Sequence, residues 1–260
     1  MVPLVAEKIF QIGSLPVTNA LINSSLAVVF FSIVGLALRK KAAAVPKGLQ
    51  NFAELILETL LNFMDQVTSS RERSRRFLPL VGTLFLFILF SNWLSQLPGT
   101  GSLGLWEEHQ GKLLLVPFLR PATSDLNTTL ALAVVAVVSA HVFGIAAIGF
   151  FKHANKFIQL GTLWRSLRQG GMNIFVAVVE MLVGVIEIFS EVAKIVSLSL
   201  RLFGNIFAGE VLLTVIGSLV AWFVPLPFIA LEILVGAVQA TVFSILTLVY
   251  LTMMTEPIGH

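Results

Sequence analysis

Residues 172–218 read MNIFVAVVEMLVGVIEIFSEVAKIVSLSLRLFGNIFAGEVLLTVIGS, and the way this run is divided decides the fold. As one helix it would be about 70 Å long, more than twice the roughly 30 Å hydrocarbon core of a bilayer. Two upright spans would need a turn near 194–196, where no Gly, Pro or Asn occurs. They would also invert the charge balance of everything downstream. The run is therefore expected to be a single, bent helix, strongly inclined in the membrane, that returns through Pro225 and Pro227 into a last helix over 227–254. A charged, inclined helix facing lipid would be unstable, so it is expected to lie against another protein.

The rest of the chain belongs to the same solvent class. Of its 260 residues, 57% are apolar and only 12% charged, and the mean hydropathy is +0.93, far above a water-soluble domain. There is no cysteine, which removes disulfides, thiol chemistry and Cys-based metal sites. The four histidines, His109, His141, His153 and His260, show no metal-binding spacing. No phosphate-binding loop occurs either; Gly104 to Gly111-Lys112 has the wrong spacing. Neither a cofactor nor a metal is expected.

Further spans are expected at 18–38, 77–97 and 127–151, with 98–126 as an external loop. Between the first two, Leu49, Phe52, Ile56, Leu60, Phe63 and Val67 recur at helical spacing, opposite Gln50, Glu54, Glu58 and Asp65. This pattern predicts an amphipathic helix over 46–67 lying on the membrane surface. The fold class is thus an all-α integral membrane protein, 1–260 as a single membrane domain, with about five embedded helices and one surface helix. The first apolar segment lacks a cleavage pattern and reads as a retained span.

Cytoplasmic loops carry the excess of Lys and Arg. One side collects twelve: Arg39, Lys40, Lys41, Lys47, Arg71, Arg73, Arg75, Arg76, Lys152, Lys156, Arg165 and Arg168. The other has Lys8, Lys112 and Arg120, while Lys194 and Arg201 lie within the membrane. The N-terminus is therefore expected outside and the C-terminus in the cytoplasm. This distribution explains an isoelectric point near 9.5 without a nucleic-acid partner.

Seven ionisable side chains fall in the last two helices: Glu180, Glu187, Glu191, Lys194, Arg201, Glu210 and Glu232. Each costs about 2.5 to 3.5 kcal/mol at a helix centre on insertion scales, so they must pair, face water or work. At 100° per residue, Glu180, Glu187, Glu191, Lys194, Arg201 and Asn205 share an arc of about 80°, whereas Glu210 lies about 180° from Arg201. Glu232, Gln239 and Tyr250 share a face of the last helix. Glu191 and Lys194 read equally as a neutralising pair or as part of a path, and Glu180 as an interfacial group. Arg201 has no carboxylate three or four residues on and keeps its charge at any accessible pH. Its counter-charge is expected from a partner.

Ser197-Leu-Ser-Leu-Arg201-Leu-Phe-Gly-Asn205-Ile-Phe-Ala-Gly-Glu210 resembles the signature of the subunit a family of the F-type ATP synthase. Pro121-Ala-Thr-Ser-Asp125-Leu-Asn127-Thr-Thr, Gln239 and the Leu248-Val-Tyr250-Leu ending extend the resemblance over essentially the whole chain. The resemblance implies an ion-translocating stator of the Fo sector in the bacterial plasma (inner) membrane, not an enzyme on its own. It implies two offset half-channels serving a rotating ring of carboxylate-bearing c subunits, with the b-subunit peripheral stalk, the remaining synthase subunits and membrane lipid as further partners. By position, Arg201 would be the essential arginine, Asn205 and Gln239 its polar neighbours, Glu210 and Glu232 the external half-channel, and Glu187 and Lys194 the cytoplasmic side. Some bacterial members carry His where this chain has Glu232. An ion-coupled secondary transporter is the alternative, but no second copy of the Arg201 motif marks an inverted repeat.

Overall fold

The computed structural model describes residues 6–41, 43, 45–97, 99, 100, 103–109, 112–157, 172–220 and 223–256. Arg165 and Arg168, counted above with the basic loops, lie outside them, as does the side chain of Glu180. Among the described residues, five helices are long and apolar enough to cross a membrane. Such helices satisfy their own backbone N–H and C=O groups, for which lipid offers no partner.

A short hairpin, β1 (Lys8–Ile12) and β2 (Leu15–Thr18), leads into α1 (Asn19–Lys41). The amphipathic segment forms α2 (Leu49–Thr68), which ends where Ser69 adopts a left-handed conformation with φ 52°. The next helix, α3 (Arg71–Ser95), starts six residues before the apolar run over 77–97. Its first turn is basic and invisible to hydropathy, but Ser70 caps it by accepting from the Arg73 N–H. A second hairpin, β3 (Gly104–His109) with β4 (Lys112–Pro117), and a 3₁₀ turn at Ala122–Ser124 occupy the region expected to be plain loop. Helix α4 (Leu126–Ile148) begins at Asp125, whose carboxylate accepts from the Asn127 N–H.

The third span does not run to 151. It stops at Gly149, whose φ of 93° is a conformation that L side chains rarely adopt, and a short helix, α5 (Phe150–Phe157), turns off from there. The run quoted at the outset is one unbroken helix, α6 (Met172–Leu219), of 48 residues. After a turn through Phe223 at φ 58°, α7 (Pro225–Thr255) begins with proline in its first turn, where the missing N–H costs nothing.

The bundle closes around two apolar clusters. Leu84 and Ile88 of α3, Ala133 and Ala136 of α4, Leu198 and Leu202 of α6, and Ala240 and Phe243 of α7 form the first. Met64 of α2 joins Phe77, Val81, Ala140, Leu248, Leu251 and Met254 in the second, which anchors α2 to the bundle. Trp93 of α3 donates from Nε1 to the Ile233 carbonyl of α7 at 3.0 Å. These contacts fix which faces of α6 and α7 look inward and which are left open.

Candidate functional site

Glu210 and Glu232 come together at the α6–α7 crossing. Gly209 makes this possible: a Cβ added there would fall on the Glu232 carboxylate, so only glycine lets that side chain lie across α6. Glu232 is buried, at 6% exposure, and its Oε1 has no hydrogen-bond partner among the described residues. Leaving a buried carboxyl oxygen without a partner is costly, and this sets Glu232 apart from Glu210. Asn92 of α3 lies against Gly236, one turn along α7. Its Oδ1 accepts from the Thr123 hydroxyl, and its Nδ2 is likewise buried without a partner among the described residues.

Arg120 was not singled out as a site residue in the sequence. Counted there as a charge of the external loop, it is in fact 1% exposed. Its Nε donates to the Glu210 carboxylate at 2.9 and 3.0 Å, and its guanidinium lies 5.9 Å from the centre of the Phe207 ring. The backbone is fixed as well, because Asn23 of α1, fully buried, donates to the carbonyls of Arg120 at 2.7 Å and Ser91 at 3.1 Å. Burying a cation is tolerable only with such compensation. The signal in the sequence was weak: an arginine one residue before Pro121-Ala-Thr-Ser-Asp125, with nothing to show that the segment folds inward.

Arg201 and Asn205 sit elsewhere. Both are exposed on α6, and no carboxylate among the described residues pairs with Arg201. Around Arg201 the open face carries small residues, Ser197, Gly204 and Ala208, all exposed, and a side chain at Gly204 would meet nothing within 4 Å. Apolar Val196 and Leu200 are 46% and 51% exposed beside it. Gln239 points inward from α7 at 9% exposure.

On the other side of Arg201, near the middle of α6, Lys194 donates to Glu191 at 2.6 Å and lies 5.3 Å from the Tyr250 ring centre. Glu187 is half-buried one turn earlier. The pair is not isolated, since His141 of α4 approaches Glu191 Oε2 at 3.4 Å through Nε2 and meets His153 of α5 at 3.2 Å through Nδ1. Neither histidine was singled out in the sequence, because 12 residues separate them and the bend at Gly149 has no periodicity to reveal it. Among the described residues no group of three or more His, Asp or Glu is arranged to hold a metal ion.

Partly buried ionic groups on either side of Arg201 along one long helix, with Arg201 on an open face between them, mark a multi-pass membrane protein organised around charge. The chain belongs to the ATP synthase A chain family, whose model matches residues 20–252. It is similar to ATP synthase subunit a of Gloeobacter violaceus, 36% identical over 246 residues, covering 93% of this chain and 85% of the relative. The Campylobacter concisus subunit a is 34% identical over 226 residues, with 87% and 85% covered. That of Moorella thermoacetica is 29% identical over 245 residues, with 94% of each chain covered.

Proposed function

We propose that this chain is the ion-translocating stator of the Fo sector, offering two half-channels to a rotating ring of c subunits and holding them apart with Arg201. The observation that carries the reading is Arg201 itself, a permanent cation on an open helical face, flanked by small and apolar residues. Such a face admits the close approach of another helix, and the missing counter-charge would be the ring's ion-binding carboxylate. Facing Arg201, that carboxylate favours its ionised form and lets its ion go. Because guanidinium does not deprotonate, Arg201 cannot pass a proton itself, and its charge repels any ion moving directly between the half-channels.

Glu210 and Glu232, about 13 Å or more along the path from Arg201, serve the external half-channel, with Asn205 and Gln239 as polar neighbours of the arginine. Lys194 and Glu187 belong to the cytoplasmic side. This assignment takes the chain with its N-terminus outside and its C-terminus inside a bacterial plasma membrane, α2 on the cytoplasmic surface and α6 strongly inclined. At about 72 Å, α6 is too long to stand upright in the bilayer. The b-subunit stalk would hold the chain against rotation, and ATP chemistry would reside in other subunits.

The test is purification of the tagged chain from its own membrane. A stator brings down a small carboxylate-bearing ring subunit, and vesicles holding the complex acidify when ATP is added. A chain that purifies alone and transports a solute would instead be a secondary transporter.

A further inference from the structure

Two asparagines one helical turn apart, Asn19 and Asn23, are fully buried at the start of α1, where each needs partners inside the protein. Asn23 finds the carbonyls of Ser91 and Arg120. Asn19 finds the residue that leads into the N-terminal hairpin: its N–H donates to the Glu7 carbonyl at 3.1 Å and its Nδ2 to the Glu7 carboxylate at 3.5 Å. One face of α1 thus holds, a turn apart, the backbone of Arg120 and the side chain of Glu7. Glu7 keeps partial exposure to solution, and it stands close enough for its charge to act on Glu210, the carboxylate that Arg120 holds. Glu232, buried with Oε1 unpartnered among the described residues, is a further charge acting with Glu210. The amine of Lys8, next along the hairpin, is taken up by Gln11 at 2.8 Å.

We propose that Glu7 is the steering carboxylate of the external half-channel, a negative charge fixed at its mouth that gathers cations from the outer solution toward Glu210 and Glu232. The proposal rests on the stator reading above. Left alone, the buried guanidinium of Arg120 would repel an arriving cation. Glu210 offsets that charge within the pair, so a cation coming from solution meets first the field of the partly exposed Glu7. Glu7 need not bind the ion or hand it on, because a charge at the entrance of a low-dielectric cleft raises the local concentration of the opposite sign by its field alone. The hairpin belongs to the side expected outside from the count of basic residues, the side to which Glu210 and Glu232 are assigned on other grounds. Asn19 is the positioning residue of this arrangement: it ties Glu7 to α1, the helix that also fixes the backbone of Arg120.

The test is ATP synthesis by the whole complex in vesicles with the ATP-making sector outward, so that the external half-channel opens to the lumen. The lumen is loaded with a graded series of proton concentrations, or of sodium at fixed pH, whichever drives the unchanged complex. Glu7→Gln keeps an oxygen for Asn19 and removes only the charge. It should raise the lumenal ion concentration for half-maximal synthesis roughly threefold at about 0.01 M salt, one charge's share of the tenfold or more that a charged cleft supplies. The maximal rate should stay the same. Glu7→Lys changes the field twice as much and should raise that concentration roughly tenfold, while Glu7→Asp, which keeps the charge, should restore the original value. Both shifts should vanish at about 0.5 M salt, where screening cuts the reach of a charge to a few ångströms. A half-maximal concentration unmoved by Glu7→Gln, a loss confined to the maximal rate, or a shift that salt does not remove would each overturn the steering role; the last two would make Glu7 a structural peg of the hairpin. Arg201→Ala run alongside separates the two claims. If it is silent while Glu7→Gln shows no shift, only the steering role falls; if it makes ATP, the stator reading falls.

Discussion

Glu210 and Glu232 look interchangeable in sequence, two carboxylates near one end of a helical hairpin, but the residues around them make them unequal. Glu210 is held by the buried Arg120, while Glu232 is buried with one oxygen unpartnered. Glu210→Gln therefore removes the carboxylate that holds Arg120. It should lower the stability of the complex by about 2 to 3 kcal/mol, somewhat below the roughly 3 to 5 of a fully buried pair, because Glu210 keeps 20% exposure. Adding Arg120→Met should restore much of the thermal stability in detergent without restoring pumping. Glu232→Gln should leave stability nearly unchanged while ATP-driven acidification falls, and the double Glu→Gln variant should pump least. Equal thermal stability of the two single variants would argue against the Arg120 assignment. Gly209→Ala supplies an independent check, since its methyl would displace the Glu232 carboxylate. It should reduce pumping sharply, whereas Gly217→Ala, with nothing within 4 Å of the added Cβ, should not.

Among the elements, α2 is the clearest case of a helix read from its sequence. Its apolar residues recur at helical spacing, and Met64 packs with Phe77 and Val81 of α3. Arg71 closes the turn between the two helices by donating to Asn62 at 2.9 Å and Asp65 at 2.8 Å. If α2 lies on the cytoplasmic face, cysteines placed at Glu54 and Glu58, both exposed, should react with a membrane-impermeant maleimide added from that side only. Reaction solely from the outside would invert the orientation derived from the basic residues. Other boundaries were less legible for a common reason: hydropathy reports lipid contact, not helicity. The basic first turn of α3 is helical because Ser70 caps it, and α4 ends early because Gly149 takes a positive φ, yet neither fact alters the apolar text. The two hairpins lay in stretches too short and too mixed to carry a strand period.

For the molecule as a whole, the division between the legible and the illegible follows the chemistry of the bilayer. Charge within apolar text is expensive, so Lys194, Arg201, Glu210 and Glu232 stood out from the sequence alone. Arg120, His141, His153 and Asn92 did not, because they occupy a loop or helices whose inward fold only tertiary packing reveals. The full arrangement places ionic clusters on either side of Arg201 along a single helix and leaves Arg201 on the open face between them. That layout is what the proposed stator role calls for. One charge crossing 100 mV releases only about 2.3 kcal/mol, so a machine making ATP must use several ions per ATP and must prevent each from slipping past unused. The central claim is that Arg201 prevents the slip, and the most direct measurement is ATP-driven acidification by vesicles carrying the assembled complex with Arg201→Ala. The account predicts an intact complex, with its ring subunit present by gel, and no acidification; robust acidification by that same complex would contradict it.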